Sequence, residues 1–259
     1  MNSTLPARPC GINLVAGCCL LIIFSACTAS TASTAPVACT ELFTRFDIVE
    51  QGQVYTVEDS MQMTEQNGMQ YYQVNRYPAI TPGVLANVRM ANADNSIYFI
   101  RKKGTENGLL FDSLNAAGKQ LSFHSFLRGR YDFSEALFYN PADRLTERRE
   151  EGSLLVETYI PSTSTSAADW DSVVLYLCKT NPFPCNYSLA PALEAAKKMK
   201  LVKAVLLFNE ERDTQTGALL TPRRESRIEL REKIMPMSGT ELIERAGAML
   251  NSTASRQAP

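Results

Sequence analysis

The sequence predicts an α+β fold in which a β-rich antiparallel body is followed by a small lobe of β-α-β-β-α order. Within residues 41–127, short segments of alternating apolar and polar residues recur about every 10 residues, as in a sandwich or barrel. Residues 170–251 instead place helical periodicity between apolar segments, which is typical of helices packed on a sheet. We therefore predict a β-rich domain at 41–160 and an α+β lobe at 170–251.

The strands of the first domain follow from the period of two in their side chains. Residues 53–57 alternate apolar and polar positions, and Asn67-Gly68 is the strongest short hairpin signal in the chain. The returning strand is predicted at 69–77. Further strands are predicted at 84–90, 97–100, 109–111 and 121–127.

Residues 130–160 allow two interpretations. Asn140-Pro141 favours a short helix that runs to Glu151, because proline is common at the first helical position. Alternatively, Glu151-Gly152 turns a hairpin into the strand 154–159. The charged residues at 144–151 indicate a solvated face in either case. The Ser/Thr-rich residues 161–166 indicate a linker between lobes or a long surface loop.

The second lobe shows helix caps as well as apolar segments. Ser188 is predicted to open a helix whose apolar face is Leu189, Leu193 and Ala196. Ser238-Gly-Thr-Glu241 has capping-box spacing and opens a last helix. Strands are predicted at 173–177, 201–208 and 227–234.

Charge and composition exclude several classes of function. The 259 residues carry 26 basic and 27 acidic side chains, a formal net charge of −1, so no long-range field attracts nucleic acid. A single histidine excludes a zinc site built on two or three imidazoles of this chain. The sequence has no phosphate loop, dinucleotide fingerprint or serine-hydrolase elbow, so we expect no cofactor.

The amino terminus has the pattern of an export signal. Residues 14–24 form an uninterrupted apolar run, shorter than the about 20 residues that a membrane-spanning helix needs. Arg8 precedes this run and small residues follow it. We therefore predict that residues 1–26 are a cleaved signal peptide.

The end of this signal, Phe24-Ser25-Ala26-Cys27, resembles the lipobox of bacterial lipoproteins. The resemblance implies that the Cys27 thiol receives a diacylglyceryl group, that cleavage makes Cys27 the first residue, and that its new amino group is acylated. Phe24 departs from the family pattern, which usually has Leu there. An ordinary signal-peptidase cut further on, or a retained membrane segment, are the alternatives.

A rival lipobox, ending at Cys18, fits the consensus better but stands too early, because few apolar residues precede it. Thr28, rather than Asp, follows Cys27, which in lipoproteins implies sorting to the outer membrane. Residues 27–40 are mostly Ser, Thr and Ala and are predicted to be a flexible tether, and 252–259 a disordered tail. These features predict an outer-membrane lipid anchor at Cys27 with the body facing the periplasm.

Three cysteines remain in the mature body. Cys178 and Cys185 flank a turn-prone loop and are predicted to form a local disulfide in the oxidising periplasm. Their spacing does not match a metal-binding pair, so no metal site is predicted. Cys39 lies on the predicted tether, where it would be free or paired with another chain.

No catalytic residue is predicted. His124 shares a predicted strand face with Ser122, but side chains that point side by side suit proton transfer poorly. The adjacent carboxylates Glu150-Glu151 and Glu210-Glu211 do not converge on one substrate atom and indicate solvated surface.

The sequence therefore predicts a non-enzymatic envelope lipoprotein with a binding or assembly role, whose partner is an unidentified envelope protein or glycan. The alternative is a periplasmic glycan-active hydrolase, which would hold two carboxylates roughly 5–10 Å apart in a cleft. A third interpretation, a secreted eukaryotic protein, would use the glycosylation sequons at Asn186 and Asn251.

Overall fold

The computed structural model describes residues 37–50, 53–76, 79–81, 96–128, 130–131, 133, 137–162, 170–235 and 237–256. The predicted signal peptide, the predicted lipid-attachment residue Cys27 and its rival Cys18 lie outside these residues. So do the predicted strand at 84–90 and most of the Ser/Thr-rich stretch after Pro161.

A single antiparallel sheet dominates the described residues. Its hydrogen-bonded order is β7-β6-β5-β3-β2-β1-β14-β11-β10-β9-β8, with β4 paired to β2 beside this path, while β12 and β13 form a separate hairpin. The strands are β1 (Ala38–Glu50), β2 (Gln53–Gln66), β3 (Met69–Asn75), β4 (Ala79–Thr81), β5 (Ser96–Lys102), β6 (Asn107–Phe111), β7 (Lys119–Ser122), β8 (Arg144–Glu151), β9 (Leu154–Ile160), β10 (Ser172–Cys178), β11 (Lys200–Phe208), β12 (Glu211–Arg212), β13 (Leu219–Thr221) and β14 (Arg224–Ile234).

Three helices accompany the sheet in the described residues: α1 (Phe123–Leu127), α2 (Pro191–Lys197) and α3 (Met237–Arg256). With this composition of elements the predicted α+β class is confirmed. The predicted second-lobe order is also found, as β10, α2, β11, β14 and α3. In the described part of the chain, no helix has both the length and the apolar content required to cross a membrane.

The first strand of the sheet pairs with the last. β1 lies between β2 and β14, with Leu42 opposite Leu230 on one side and Met61 on the other. Strands from the predicted 41–160 domain and the predicted 170–251 lobe therefore share one sheet. Residues from Pro36 onward form one compact unit.

Each face of the sheet carries an apolar layer, because side chains alternate between the faces along every strand. The larger layer includes Leu42, Met61, Phe99, Leu175 and Leu206, all at most 1% exposed. On the other face, α3 places Leu242, Ile243 and Ala246 over a second apolar cluster from β3, β5 and β6, whose members include Tyr71, Ile100 and Phe111.

The Asn67-Gly68 hairpin is confirmed, and the left-handed backbone of both residues (φ 52° and 73°) is what such a turn requires. Other predicted boundaries change. The favoured helix up to Glu151 is wrong: residues 144–151 form β8, and Gly152 (φ 60°) turns the hairpin into β9. β8 is an edge strand, and its exposed charged side chains suit such an edge.

The strand predicted at 121–127 ends at Ser122. The Ser122 hydroxyl accepts the Ser125 backbone N–H and so caps α1. α2 begins at Pro191 rather than Ser188, because proline at the first helical position lacks only an N–H that would have no intrahelical acceptor. β1 begins at Ala38, so Cys39 is a buried sheet residue and not part of a tether. α3 continues to Arg256.

Candidate functional site: the covered face of the sheet

Two non-strand segments lie on the larger apolar layer of the sheet. We call this layer the covered face, and the segments 123–139 and 179–199 the cover. Side chains from both cover segments, among them Phe138 and Leu193, belong to the same apolar cluster as the sheet residues. Among its described residues, the cover contains the short helices α1 and α2 and no strand. The site is therefore an apolar surface closed by short, separately attached segments.

Aromatic stacking attaches α1 to the sheet. The rings of Phe126 and Phe99 stack with centroids 4.8 Å apart at 13°, and Phe123 lies 4.8 Å from Tyr72. The Arg101 guanidinium lies 3.5 Å from the Phe123 ring centroid and donates to the Thr105 carbonyl at 2.9 Å. Such aromatic pairs contribute roughly 0.5–1.5 kcal/mol each beyond the area that they bury. α1 therefore presents its phenylalanines inward and leaves Ser125 and His124 exposed.

Beyond α1, Arg130 attaches the first cover segment to β2. Its Nε and Nη2 donate to Asp59 Oδ2 at 2.9 and 2.6 Å, and its Nη1 donates to the Asn75 carbonyl at 2.5 Å. The Asp59 side chain is 11% exposed, so this ion pair is shielded from water. A forked guanidinium contact of this kind is stronger than a neutral hydrogen bond.

A buried carboxylate attaches the second cover segment. Glu157 of β9 is fully buried and accepts from Lys197 Nζ at 2.9 Å and from the Tyr159 hydroxyl at 2.7 Å. Arg148 of β8 also donates to it, with Nε at 2.9 Å. Lys197 ends α2 and also donates to the Tyr159 hydroxyl at 2.8 Å. We call Glu157, Tyr159 and Lys197 the α2 clamp.

The protonation states of the α2 clamp are set by burial and by its hydrogen bonds. Burial raises the pKa of Tyr159 to about 12. Burial also tends to raise the pKa of Glu157, but the bonds from Lys197, Tyr159 and Arg148 outweigh it and hold that pKa below its ordinary value. The pKa of Lys197 is raised, because its bonds to Tyr159 and Glu157 outweigh burial. The clamp is thus a charged pair with a neutral tyrosine.

Further polar contacts join the cover to itself and to the sheet. The Tyr187 hydroxyl donates to the Tyr131 carbonyl at 3.2 Å and so links the two cover segments. Thr40 Oγ1 of β1 accepts the Cys185 N–H at 3.0 Å. Lys200 donates to Glu194 Oε2 at 3.0 Å and to the Tyr187 carbonyl. These contacts fix where each segment rests but offer no nucleophile paired with a base.

The predicted site residues are dispersed. Cys178 and Cys185 are buried free thiols, and no disulfide joins them. Along β10, Val173, Leu175 and Leu177 face the covered side, so Cys178 points to the opposite face, whereas Cys185 belongs to the covered-face cluster. A strand continuing through residue 178 therefore keeps the two thiols apart.

The remaining candidates also stay apart. Ser122 donates to Ser125 Oγ at 2.8 Å, so its hydroxyl serves the cap of α1 rather than His124. Glu150-Glu151 and Glu210-Glu211 are exposed, as predicted. Within the described part of the chain, no group of three or more His, Cys, Asp or Glu side chains could hold a metal ion.

Sequence reasoning missed the α2 clamp and the Arg130–Asp59 pair. The sequence did contain a signal for Glu157. This residue lies between Leu155 and Tyr159 on the face of β9 that points into the apolar cluster, where a charged side chain needs a partner. Arg130 and Asp59 lie 71 positions apart, so nothing local marks their pairing.

No protein-family model matches the chain, and no curated protein matches it. Six chains of solved structures are similar to it, and two of them have the following identities and coverage. A domain named for outer membrane lipoprotein sorting, from Vibrio parahaemolyticus, has 9% identity and a TM-score of 0.23, covering 77% of this chain and 86% of its own. A LolA superfamily protein from Nitrosomonas europaea has 8% identity and a TM-score of 0.21, covering 77% of this chain and 87% of its own. At TM-scores this low, neither likeness shows a function for this chain.

Proposed function

We propose that the chain is an outer-membrane-anchored lipoprotein facing the periplasm, whose body is a non-enzymatic binding protein. The covered face would receive the apolar part of another envelope component. One observation carries this proposal: a large apolar sheet face is closed by short segments that a few clamps attach. The anchor is supported by the lipobox pattern that ends at Cys27.

The cover is suited to local opening. α1 has 5 residues and α2 has 7, far below the length at which an isolated helix is stable in water. Both helices therefore depend on the sheet for their structure. Segments held by few contacts open more readily than a protein unfolds as a whole.

An apolar ligand would offset the cost of opening. Separating Phe123 and Phe126 from Phe99 and Tyr72 exposes four large side chains, at roughly 1.5–3 kcal/mol each, so at most roughly 12 kcal/mol. An acyl chain of roughly 14 methylene groups gains roughly 11 kcal/mol on burial. The two magnitudes are comparable, so an acyl chain can exchange with the cover without a large net change.

The anchor is tested by the mass of the mature amino terminus. We expect Cys27 as the first residue, carrying acyl chains. Cys27→Ala should leave the protein unprocessed or released, whereas Cys18→Ala should change nothing. An unmodified amino terminus beyond Cys27 would contradict the anchor without affecting the binding proposal.

Ligand binding is tested with a fluorescent hexadecanoyl probe and the processed chain. We expect saturable binding of the probe. Association should be faster in Asp59→Asn, because that variant loses the ion pair between Arg130 and Asp59 while the sheet stays intact. Glu150→Gln, an exposed carboxylate of β8, is the matched control and should associate at the wild-type rate. If the probe binds neither protein, or if Asp59→Asn leaves the association rate unchanged, the covered face is not a binding site.

The alternative function, a glycan-active hydrolase, requires two carboxylates in one cleft, and Asp47 and Glu225 line the same concavity. Asp47 accepts the Thr56 hydroxyl at 2.7 Å and the Glu225 backbone N–H at 3.3 Å. Glu225 pairs with Arg227 at 3.3 Å. Both carboxylates are thus engaged as structural acceptors, and we assign this pair no hydrolytic role.

A further inference from the structure

A concave site rich in arginine lies away from the covered face, where β1, β11 and β14 meet. It has a volume of about 390 Å³ and is lined by Arg45, Asp47, Leu207, Arg223, Arg224, Glu225 and Arg227. We call it the arginine basin. The side chains of Arg45, Arg223 and Arg227, together with those of Asp47 and Glu225, give it a formal charge of +1, although the whole chain carries −1.

The sheet register places two of these positive charges against each other. Arg45 of β1 is the direct cross-strand partner of Arg227 in β14. Like charges directly opposite each other destabilise an antiparallel pair. The arrangement therefore needs negative charge nearby.

The carboxylates of the basin supply that charge only in part. Arg45 Nε lies 3.8 Å from Asp47 Oδ1, beyond hydrogen-bond length, and the Asp47 oxygens already accept two other donors. Glu58 is the partner of Arg45 in β2, yet the described residues show no ion pair between them. The positive charge of Arg45 is thus poorly compensated.

Arg227 is also incompletely satisfied. Its Nη2 contacts Glu225 at 3.3 Å and its Nη1 lies 4.0 Å from Glu229, which itself binds Arg231 at 3.0 Å. The Nε of Arg227 is buried without an acceptor. A buried donor left without a partner destabilises the folded protein, so this position favours an added acceptor.

Arg223 keeps its donors available, whereas Arg224 does not face the basin. Arg224 is the cross-strand partner of Phe208 and stacks on it with its guanidinium carbon 4.7 Å from the ring centroid, so its guanidinium lies on the covered side of the sheet. Among the described residues, neither Arg223 nor Arg224 forms an ion pair, and Arg223 is exposed. Planar guanidinium groups match the oxygens of a phosphate in paired hydrogen bonds.

We propose that the arginine basin binds a phosphate group. A phosphate would lie between Arg45 and Arg227, reduce their mutual repulsion, and accept from Arg223. The group can come from a soluble phosphorylated compound or from the headgroup of an anionic phospholipid. The exposed Leu219 and Leu220 on the neighbouring β12–β13 hairpin would be available to a lipid surface in the second case.

The proposal is tested first with inorganic phosphate and the processed chain, against sodium chloride of equal ionic strength. At phosphate about 100 times its dissociation constant, we expect a rise in melting temperature on the order of 5 °C. Arg45→Gln combined with Arg223→Gln should weaken phosphate binding at least about tenfold, the scale of one lost charge-assisted contact. Arg149→Gln, on the exposed edge strand β8, removes one positive charge elsewhere and is the matched control for the single substitution Arg45→Gln.

Arg45→Gln alone provides a readout that a general loss of folding would not mimic. Without phosphate it should melt at or above the wild-type temperature, because the opposed charges are relieved, yet it should gain less from phosphate. Vesicles of phosphatidylcholine with and without phosphatidylglycerol identify the source of the phosphate group. Arginine-dependent binding only to the anionic vesicles assigns a lipid headgroup. An effect of phosphate without vesicle binding assigns a soluble ligand. If the basin variants and Arg149→Gln respond alike to both probes, the proposal is overturned.

Discussion

Replacing Glu157 by Gln tests whether the α2 clamp holds the cover. The substitution keeps the shape of the side chain but removes the charge that Lys197, Tyr159 and Arg148 share. Breaking one side of a buried ion pair costs about 3–5 kcal/mol. The side chain of Lys197 is 22% exposed and that of Arg148 is 55% exposed, so both can regain some hydration. The lower end of this range of free energies therefore applies. We expect a loss of about 3 kcal/mol.

Urea unfolding of wild type and Glu157→Gln measures this loss as a shift of the midpoint at constant slope. By heat, the melting temperature should fall by about 6–12 °C for a chain of this size. Glu150→Gln on the same hairpin should change the free energy of unfolding by less than about 0.5 kcal/mol, because it is exposed. A Glu157→Gln loss as small as that of the control would refute the clamp.

The pH dependence of stability supplies an independent check. The pKa of Glu157 is lowered in the folded protein from an ordinary value of 4.5, so its stabilising effect is complete above that pH and is lost as the pH falls through the lowered pKa. Wild type should therefore lose more stability than Glu157→Gln on acidification below pH 4.5. Parallel acid profiles would show that the carboxylate is not charged in the folded state.

Three further outcomes follow from packing and burial. Cys178 and Cys185 should react with a thiol reagent only on unfolding, and no intramolecular disulfide should be found by mass, because both are buried and burial raises the pKa of Cys185 to about 11. Arg130→Lys should destabilise the protein by about 1–2 kcal/mol in urea, because lysine cannot make the forked contact. Gly108→Ala should destabilise the protein strongly, since the added Cβ would lie 2.5 Å from a backbone oxygen. The Cβ added by Gly247→Ala in α3 meets no atom within 4 Å, so this variant should be more stable by about 1 kcal/mol. In a thermal melt, a raised melting temperature for Gly108→Ala or a lowered one for Gly247→Ala would contradict the corresponding assignment.

The strands that local pattern and turn chemistry define could be predicted from the sequence. Asn67-Gly68 joins β2 and β3 as expected, because the left-handed turn is a local property. β8 was not predictable in the same way. Its arginines and glutamates favour a helix, but pairing with β9 overrides that preference and places Arg148 beside Glu157.

The candidate sites depend on pairings between distant parts of the chain. The opposition of Arg45 and Arg227 arises only when the first strand of the sheet pairs with its last. The two cysteines of the predicted Cys178–Cys185 disulfide are another example, because the structure holds them as separate buried thiols. Proximity in sequence suggested a bridge, whereas the alternation of β10 sends the two thiols to different faces. Local spacing thus says little about which groups meet.

The clamps also determine the order in which the cover forms. The hydrogen bonds of the cover join residues that are far apart in sequence: Arg130 and Asp59 are separated by 71 positions, Lys197 and Tyr159 by 38, and Tyr187 and Tyr131 by 56. Closing such loops costs entropy that the sheet must already have offset through its own pairing. The short helices α1 and α2 have no stability of their own, so they form on a sheet that already exists. The same dependence makes the cover the part that can separate while the sheet stays folded, which is what exchange of an apolar ligand requires.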